Sequence, residues 1–218
     1  ALFVWWERRA ADPSLDVRLF RDPRFSTAVG VIALIFFAAL GVMFFMSFLL
    51  QLVRGLTPLQ AGVLMLPFAV AQLFFAPRSA AMVKRFGPKA VCAVGLGLTV
   101  VSLGGLVFLR LDTPLWVVGV LFFIQGVGMA NVMPPATESV MSTLPRERAG
   151  VGSAVANTMR QVGGALGVAV LGSAVMAVYR SEVADALAGL PEPVRAAAGE
   201  SIAGAYAVAE RLGVPALL

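Results

Sequence analysis

The chain of 218 residues is 59% hydrophobic and 13% charged, with a mean hydropathy of +0.88. A soluble domain of that size has too little interior to hide so much apolar surface, so the composition describes an all-α or barrel-type membrane protein. The net charge of +5 comes from 17 Lys and Arg against 12 Asp and Glu, but the basic residues stand in short clusters between long apolar runs, which is the placement of topology signals and not of a nucleic-acid surface.

In chain order, Ala1 to Trp6 is an apolar stub too short to span, followed at once by Glu7, Arg8 and Arg9. It reads as the end of a truncated transmembrane helix, since a signal peptide carries its charges before its apolar run. Residues 7–27 read as a cytoplasmic linker. Five runs then reach the length of about 20 residues needed to cross a bilayer core of about 30 Å. They are placed at 28–50, 59–77, 90–109, 115–135 and 150–178, which makes 28–178 a five-helix transmembrane bundle. Residues 179–218 read as an extracytoplasmic segment leading to a missing last helix. Barrel strands would be about 10 residues long with alternating polarity, so the runs predict helices and an all-α membrane fold.

The connections carry turn chemistry. Thr57-Pro58 and Thr113-Pro114 each predict an N-cap followed by proline at the first helical position. Pro77 closes the second span, and the pair Pro134-Pro135 is expected to break the fourth just before Glu138. The single cysteine, Cys92, lies inside an apolar run and excludes an intramolecular disulfide; it reads as a small core residue.

Orientation follows from the loops. Arg8, Arg9, Arg18, Arg21 and Arg24 mark one, Arg78, Lys84, Arg85 and Lys89 a second, and Arg146 and Arg148 a third, whereas the alternating connections carry only Arg54 and Arg110. By the positive-inside rule the first set is cytoplasmic. Alternation then puts the segment after the fifth helix outside.

Glycines are spread through the spans. On the fifth, Gly152, Ala156, Gly163, Gly167 and Ala174 fall within a narrow arc, a small-residue stripe that lets another helix approach closely. Beside it lie Ser153, Asn157 and Arg160, with Gln161 further round. Arg160 sits about 16 Å along a helix starting near Ala149; it either faces protein or a water-filled cavity, or snorkels as an anchor. On the fourth span Gln125, Gly128 and Asn131 share a face, with two roles open to the amides, contact with substrate and interhelical bonding. Glu138 reads as interfacial or as a titrating group. Gln72 in the second span, with Ser47 and Gln51 in the first, adds scattered polarity. The methionines and phenylalanines elsewhere make a pliable wall suited to loosely specific ligands, or face lipid.

Four stretches together resemble a known family. They are Leu19-Phe20-Arg21-Asp22 with Phe25, Gly55-Leu56-Thr57-Pro58-Leu59-Gln60-Ala61-Gly62 leading to Leu66-Pro67, Arg85-Phe86-Gly87-Pro88-Lys89, and Gly150-Val151-Gly152-Ser153 through Arg160-Gln161-Val162-Gly163-Gly164-Ala165-Leu166-Gly167. Their order and spacing are similar to the fourteen-helix drug:proton antiporter branch of the major facilitator superfamily. The resemblance implies that the spans are the ninth to thirteenth helices of the parent, in its C-terminal bundle. It also implies a role for Arg85, Gly87 and Lys89 in a cytoplasmic loop motif. The sequence departs from that motif where Ala80 stands at its glycine and Lys84 at its acid.

With no histidine in the chain, zinc motifs of the H-E-x-x-H type and Ser-His-Asp catalysis have no residues to draw on. Phosphate-cradling glycine loops are absent too, so an enzyme is disfavoured, and no cofactor, metal or nucleic acid is expected. The resemblance implies proton-coupled export of amphiphilic drugs or other small molecules by alternating access, across a bacterial plasma membrane, with a missing N-terminal half-bundle of the same chain as partner. The coupling candidates are Arg160, Asn157, Gln125, Asn131, Gln72 and Glu138. Export of one endogenous metabolite or peptide, and a non-transporting membrane scaffold, are the alternatives.

Overall fold

The computed structural model describes residues 17–145 and 148–187. The apolar stub 1–6, the linker before Val17, Arg146, and everything from residue 188, including Arg195 and Arg211, lie outside the described residues. A short 3₁₀ turn, Val17–Arg21, leads into α1 (Pro23–Phe48), followed by α2 (Pro58–Phe86), α3 (Pro88–Val107), α4 (Leu115–Ser142) and α5 (Ala149–Leu187). All five are long and apolar enough to cross a membrane.

Capping chemistry sets the starts. Asp22 accepts from the Arg24 N–H at 2.8 Å with Pro23 at the first helical position of α1. Thr57 and Gln60 form a reciprocal capping box at the start of α2, the Thr57 hydroxyl accepting from the Gln60 N–H and the Gln60 amide oxygen from the Thr57 N–H at 2.9 Å. At α4 the structure corrects the expectation for Thr113. Pro114 itself occupies the N-cap position, and the Thr113 hydroxyl closes the preceding turn by accepting from the Arg110 N–H at 2.8 Å.

The helices run further than the apolar runs. Pro77 does not end α2, which continues to Phe86, so the expected loop from Arg78 to Lys89 is mostly helix. Only Gly87 separates α2 from α3, at φ 80° and ψ 157°, a conformation that essentially glycine alone adopts. Pro134 and Pro135 do not break α4 either; both lie inside an unbroken helix ending at Ser142. A proline removes one backbone donor and crowds one carbonyl. Contacts on several sides hold α4 through that local cost: it touches each of the other four helices.

The centre of the bundle is α4, and glycines allow the approach. A Cβ on Gly126 would stand 2.6 Å from the Phe68 carbonyl of α2, and one on Gly128 2.7 Å from the Gly95 carbonyl of α3. Phe25, Ile32 and Val140 are fully buried where α1, α4 and α5 meet. Outward, Leu59, Leu73, Val107, Phe108 and Trp116 are largely exposed, as befits helices whose surrounding solvent is hydrocarbon.

A candidate substrate-facing site on the first and fifth helices

Helices α1 and α5 run in parallel register. Gly163 and Gly167 of α5 lie directly on the Ala33 and Phe37 carbonyls of α1, so near that neither position has room for a Cβ. Contacts of this kind, Cα–H against carbonyl, recur where helices meet through small residues. Ala156 is buried two turns before Gly163, while Gly152 faces Met141 of α4 and Leu144 just after it. Ala174, expected to continue the stripe, is exposed.

Arg160 lies at the edge of this seam and is half-buried. Its guanidinium sits 5.8 Å from the centre of the Phe36 ring of α1, within the range of cation–π attraction. A long hydrogen bond, 3.5 Å, runs from its Nη2 to the Thr137 hydroxyl of α4, and its Nε is buried without a partner. No ion pair to Arg160 is formed among the described residues. An arginine in mid-membrane costs roughly 2.5 to 3.5 kcal/mol on insertion scales, and one long hydrogen bond offsets little of that.

Beyond Arg160 the same two faces open into a groove of about 540 Å³, lined by Leu40, Met43, Phe44 and Ser47 of α1, Met65 of α2, and Gly164, Ala165 and Val168 of α5. Phe36, Leu40, Met43 and Ser47 form one stripe at helical spacing. Gly164 stands one turn beyond Arg160. Asn157, Ser153 and Gln161 are exposed on the adjoining arc of α5.

The other predicted residues lie apart from this groove. Gln125 and Asn131 are buried on α4, and Asn131 lies against Gly95 of α3. The Asn131 amide donates to the Val127 carbonyl of its own helix at 2.9 Å, and both polar atoms of Gln125 lack a partner among the described residues. On α3, Ser102 donates to the Leu121 carbonyl at 2.7 Å and Thr99 to Gly95 at 3.0 Å, so the polar line belongs to a helix contact. Gln72 is half-buried on α2 and Glu138 is exposed near the end of α4. Of the loop-motif residues, Arg85 stacks on Phe86 at 5.2 Å, Gly87 forms the turn, and Lys89 is exposed on the first turn of α3.

Sequence reasoning missed Phe36 and Thr137 as the neighbours of Arg160. The period-3.6 recurrence of Phe36, Leu40, Met43 and Ser47 was the available signal; Thr137 had none, because its partner is 23 positions away. It also missed Arg54, whose Nη1 and Nη2 donate to the Thr113 and Arg110 carbonyls at 2.7 and 2.5 Å.

The family model described as Major Facilitator Superfamily matches residues 7–168. The chain is 36% identical over 210 residues to the tetracenomycin C resistance and export protein of Streptomyces glaucescens, covering 94% of this chain and 39% of that protein. It is 35% identical over 197 residues to the multidrug resistance protein Stp of Mycobacterium tuberculosis, covering 89% and 36%. With the multidrug efflux pump LfrA of Mycolicibacterium smegmatis the identity is 36% over 214 residues, covering 97% and 42%. The chain thus spans about two fifths of the length of these relatives.

Proposed function

The chain belongs to the Major Facilitator Superfamily, and from that premise we propose that it forms one wall of a proton-coupled exporter of amphiphilic small molecules. It is a multi-pass integral membrane protein of the bacterial plasma membrane, embedded in lipid through its five apolar helices. The observation that carries the functional reading is coverage: relatives named for drug resistance, export or efflux align with 89–97% of this chain. The α1–α5 groove supports it as a place for a ligand, being mostly apolar, bordered by methionines that adapt to varied shapes, and one turn of α5 from Arg160.

In this reading the helices work against a second bundle of the same polypeptide, and rocking of the two exposes the groove to each side in turn. The ends carrying Arg24, the Arg78 to Lys89 cluster and Arg148 face the cytoplasm, and the Arg54–Arg110 end faces out. Arg160 and Asn157 border the ligand. Gln125 and Asn131 are buried inside the bundle on α4, away from the groove, and Glu138 and Gln72 lie nearer the surface of the bundle. A transporter of this family does its work by moving a solute, not by chemistry on it.

The test is a susceptibility and efflux panel with the full-length protein in a host lacking its own pumps. Raised resistance with lowered accumulation of several unrelated amphiphiles is expected. No change for any compound, with the protein confirmed in the membrane, contradicts the reading.

A further inference from the structure

The cation at Arg160 and the groove beside it have complementary chemistry. The guanidinium lies against the Phe36 ring at 5.8 Å, holds one hydrogen bond of 3.5 Å to Thr137, and leaves its buried Nε unpartnered. One turn further along both helices, about 6 Å, Leu40 and Gly164 open the groove that Met43, Phe44, Ser47, Met65 and Val168 continue. The buried Nε is out of a ligand's reach, but the terminal nitrogens hold only the one long hydrogen bond, and such a charge one turn from an apolar slot suits a molecule with the same two parts in the same order.

We propose that Arg160 anchors the acidic group of an amphiphilic anion, a carboxylate or phenolate, whose apolar body lies in the α1–α5 groove. The inference rests on the reading of the chain as part of an exporter and narrows its substrate class. The guanidinium fork meets a carboxylate with two parallel N–H donors, which an ammonium cannot do. The ring of Phe36 holds the fork in place from one side, and Thr137 from another. A cationic amphiphile would meet a like charge at this end, so the groove discriminates against it.

The test compares transport of two fluorescent probes with the same polyaromatic body, one a free carboxylic acid and the other its methyl ester, by the full-length protein. Wild type is expected to export the acid in preference to the ester. Arg160→Gln should lower the acid-to-ester ratio by roughly tenfold or more, as loss of a charge-assisted bidentate contact requires. Arg160→Lys should recover only part of it. Gly164→Ala, whose Cβ would push Leu40 into the groove, should reduce both probes and leave the ratio unchanged, because it acts on the body and not on the head. Equal loss of both probes in Arg160→Gln, with the protein present in the membrane at wild-type level, overturns the proposal in favour of a partner carboxylate or lipid phosphate. An unchanged ratio overturns it as well. If wild type exports the ester and not the acid, the anion preference fails while the exporter reading stands; export of neither probe or any other amphiphile defeats both.

Discussion

At the scale of single residues, the firmest assignments are those where an atom has no room. Gly163 and Gly167 face the Ala33 and Phe37 carbonyls so closely that any side chain must part α1 from α5, whereas Gly97 and Gly104 of α3 have nothing within 4 Å. Gly167→Leu should therefore destabilise the folded protein by more than the 1–3 kcal/mol, roughly, of an overpacked core, and Gly104→Leu should leave stability nearly unchanged. The check is detergent-solubilised melting followed by size-exclusion chromatography; equal melting temperatures for the two variants would remove the close approach from the account. The small-residue stripe was legible because glycines four apart on an apolar helix have a steric meaning. The surroundings of Arg160 were not: its placement well along α5 could be counted from Ala149, but Phe36 and Thr137 come from two other helices, and no periodicity within α5 points to them. Gln125 and Asn131 show the same limit. Their spacing put them on one face of α4, but which neighbour covers that face is a property of the bundle.

Among the elements, the ends of helices diverge most from their sequence expectations, and prolines are the reason. Reading Pro77 and Pro134-Pro135 as breaks treats each helix as isolated, when in fact α4 is held by four neighbours and α2 packs on α4 through Pro67, Phe68 and Ala71 against Gly119 and Gly126. Contacts of that extent outweigh the local cost of about 3 kcal/mol for an interior proline. The end of α1 has a different solution. It widens into a π-helical turn, Leu49–Val53, and Arg54 then ties this end to the α3–α4 turn by donating to the Thr113 and Arg110 carbonyls. These are two of the carbonyls a short turn leaves without helical partners. Arg54→Ala is expected to lower stability by about 1 kcal/mol, less than the roughly 1.5–3 kcal/mol of a buried hydrogen bond from a charged donor because the site is partly exposed. Arg54→Lys should recover less than half of that, lacking the fork that reaches both oxygens. Thermal melting of the two variants beside wild type decides it; a Lys variant as stable as wild type would mean that charge alone matters at this position.

For the whole molecule, composition and run length were enough to establish a bundle of membrane helices, and the four short stretches carried the family before any fold was at hand. The arrangement of the helices was not legible, since α1 lies beside α5, its most distant partner in the chain, and α4 takes the centre only because its glycines face two sides. Orientation rests on charge: Lys84 at the end of α2 is expected in the cytoplasm and Asp112, in the α3–α4 turn, outside. With Cys92 first replaced, a cysteine at Asp112 should react with an impermeant thiol reagent in intact cells and one at Lys84 should not; the reverse pattern would invert the topology. The central claim is that this chain is part of a machine that moves amphiphiles outward against protons. Everted membrane vesicles containing the full-length protein test it most directly, by the accumulation of a fluorescent amphiphile while the vesicle interior is acidified. The account predicts accumulation that stops when a proton-exchanging ionophore collapses the pH gradient. Accumulation that persists without the gradient, or none in vesicles shown to hold the protein, would contradict it.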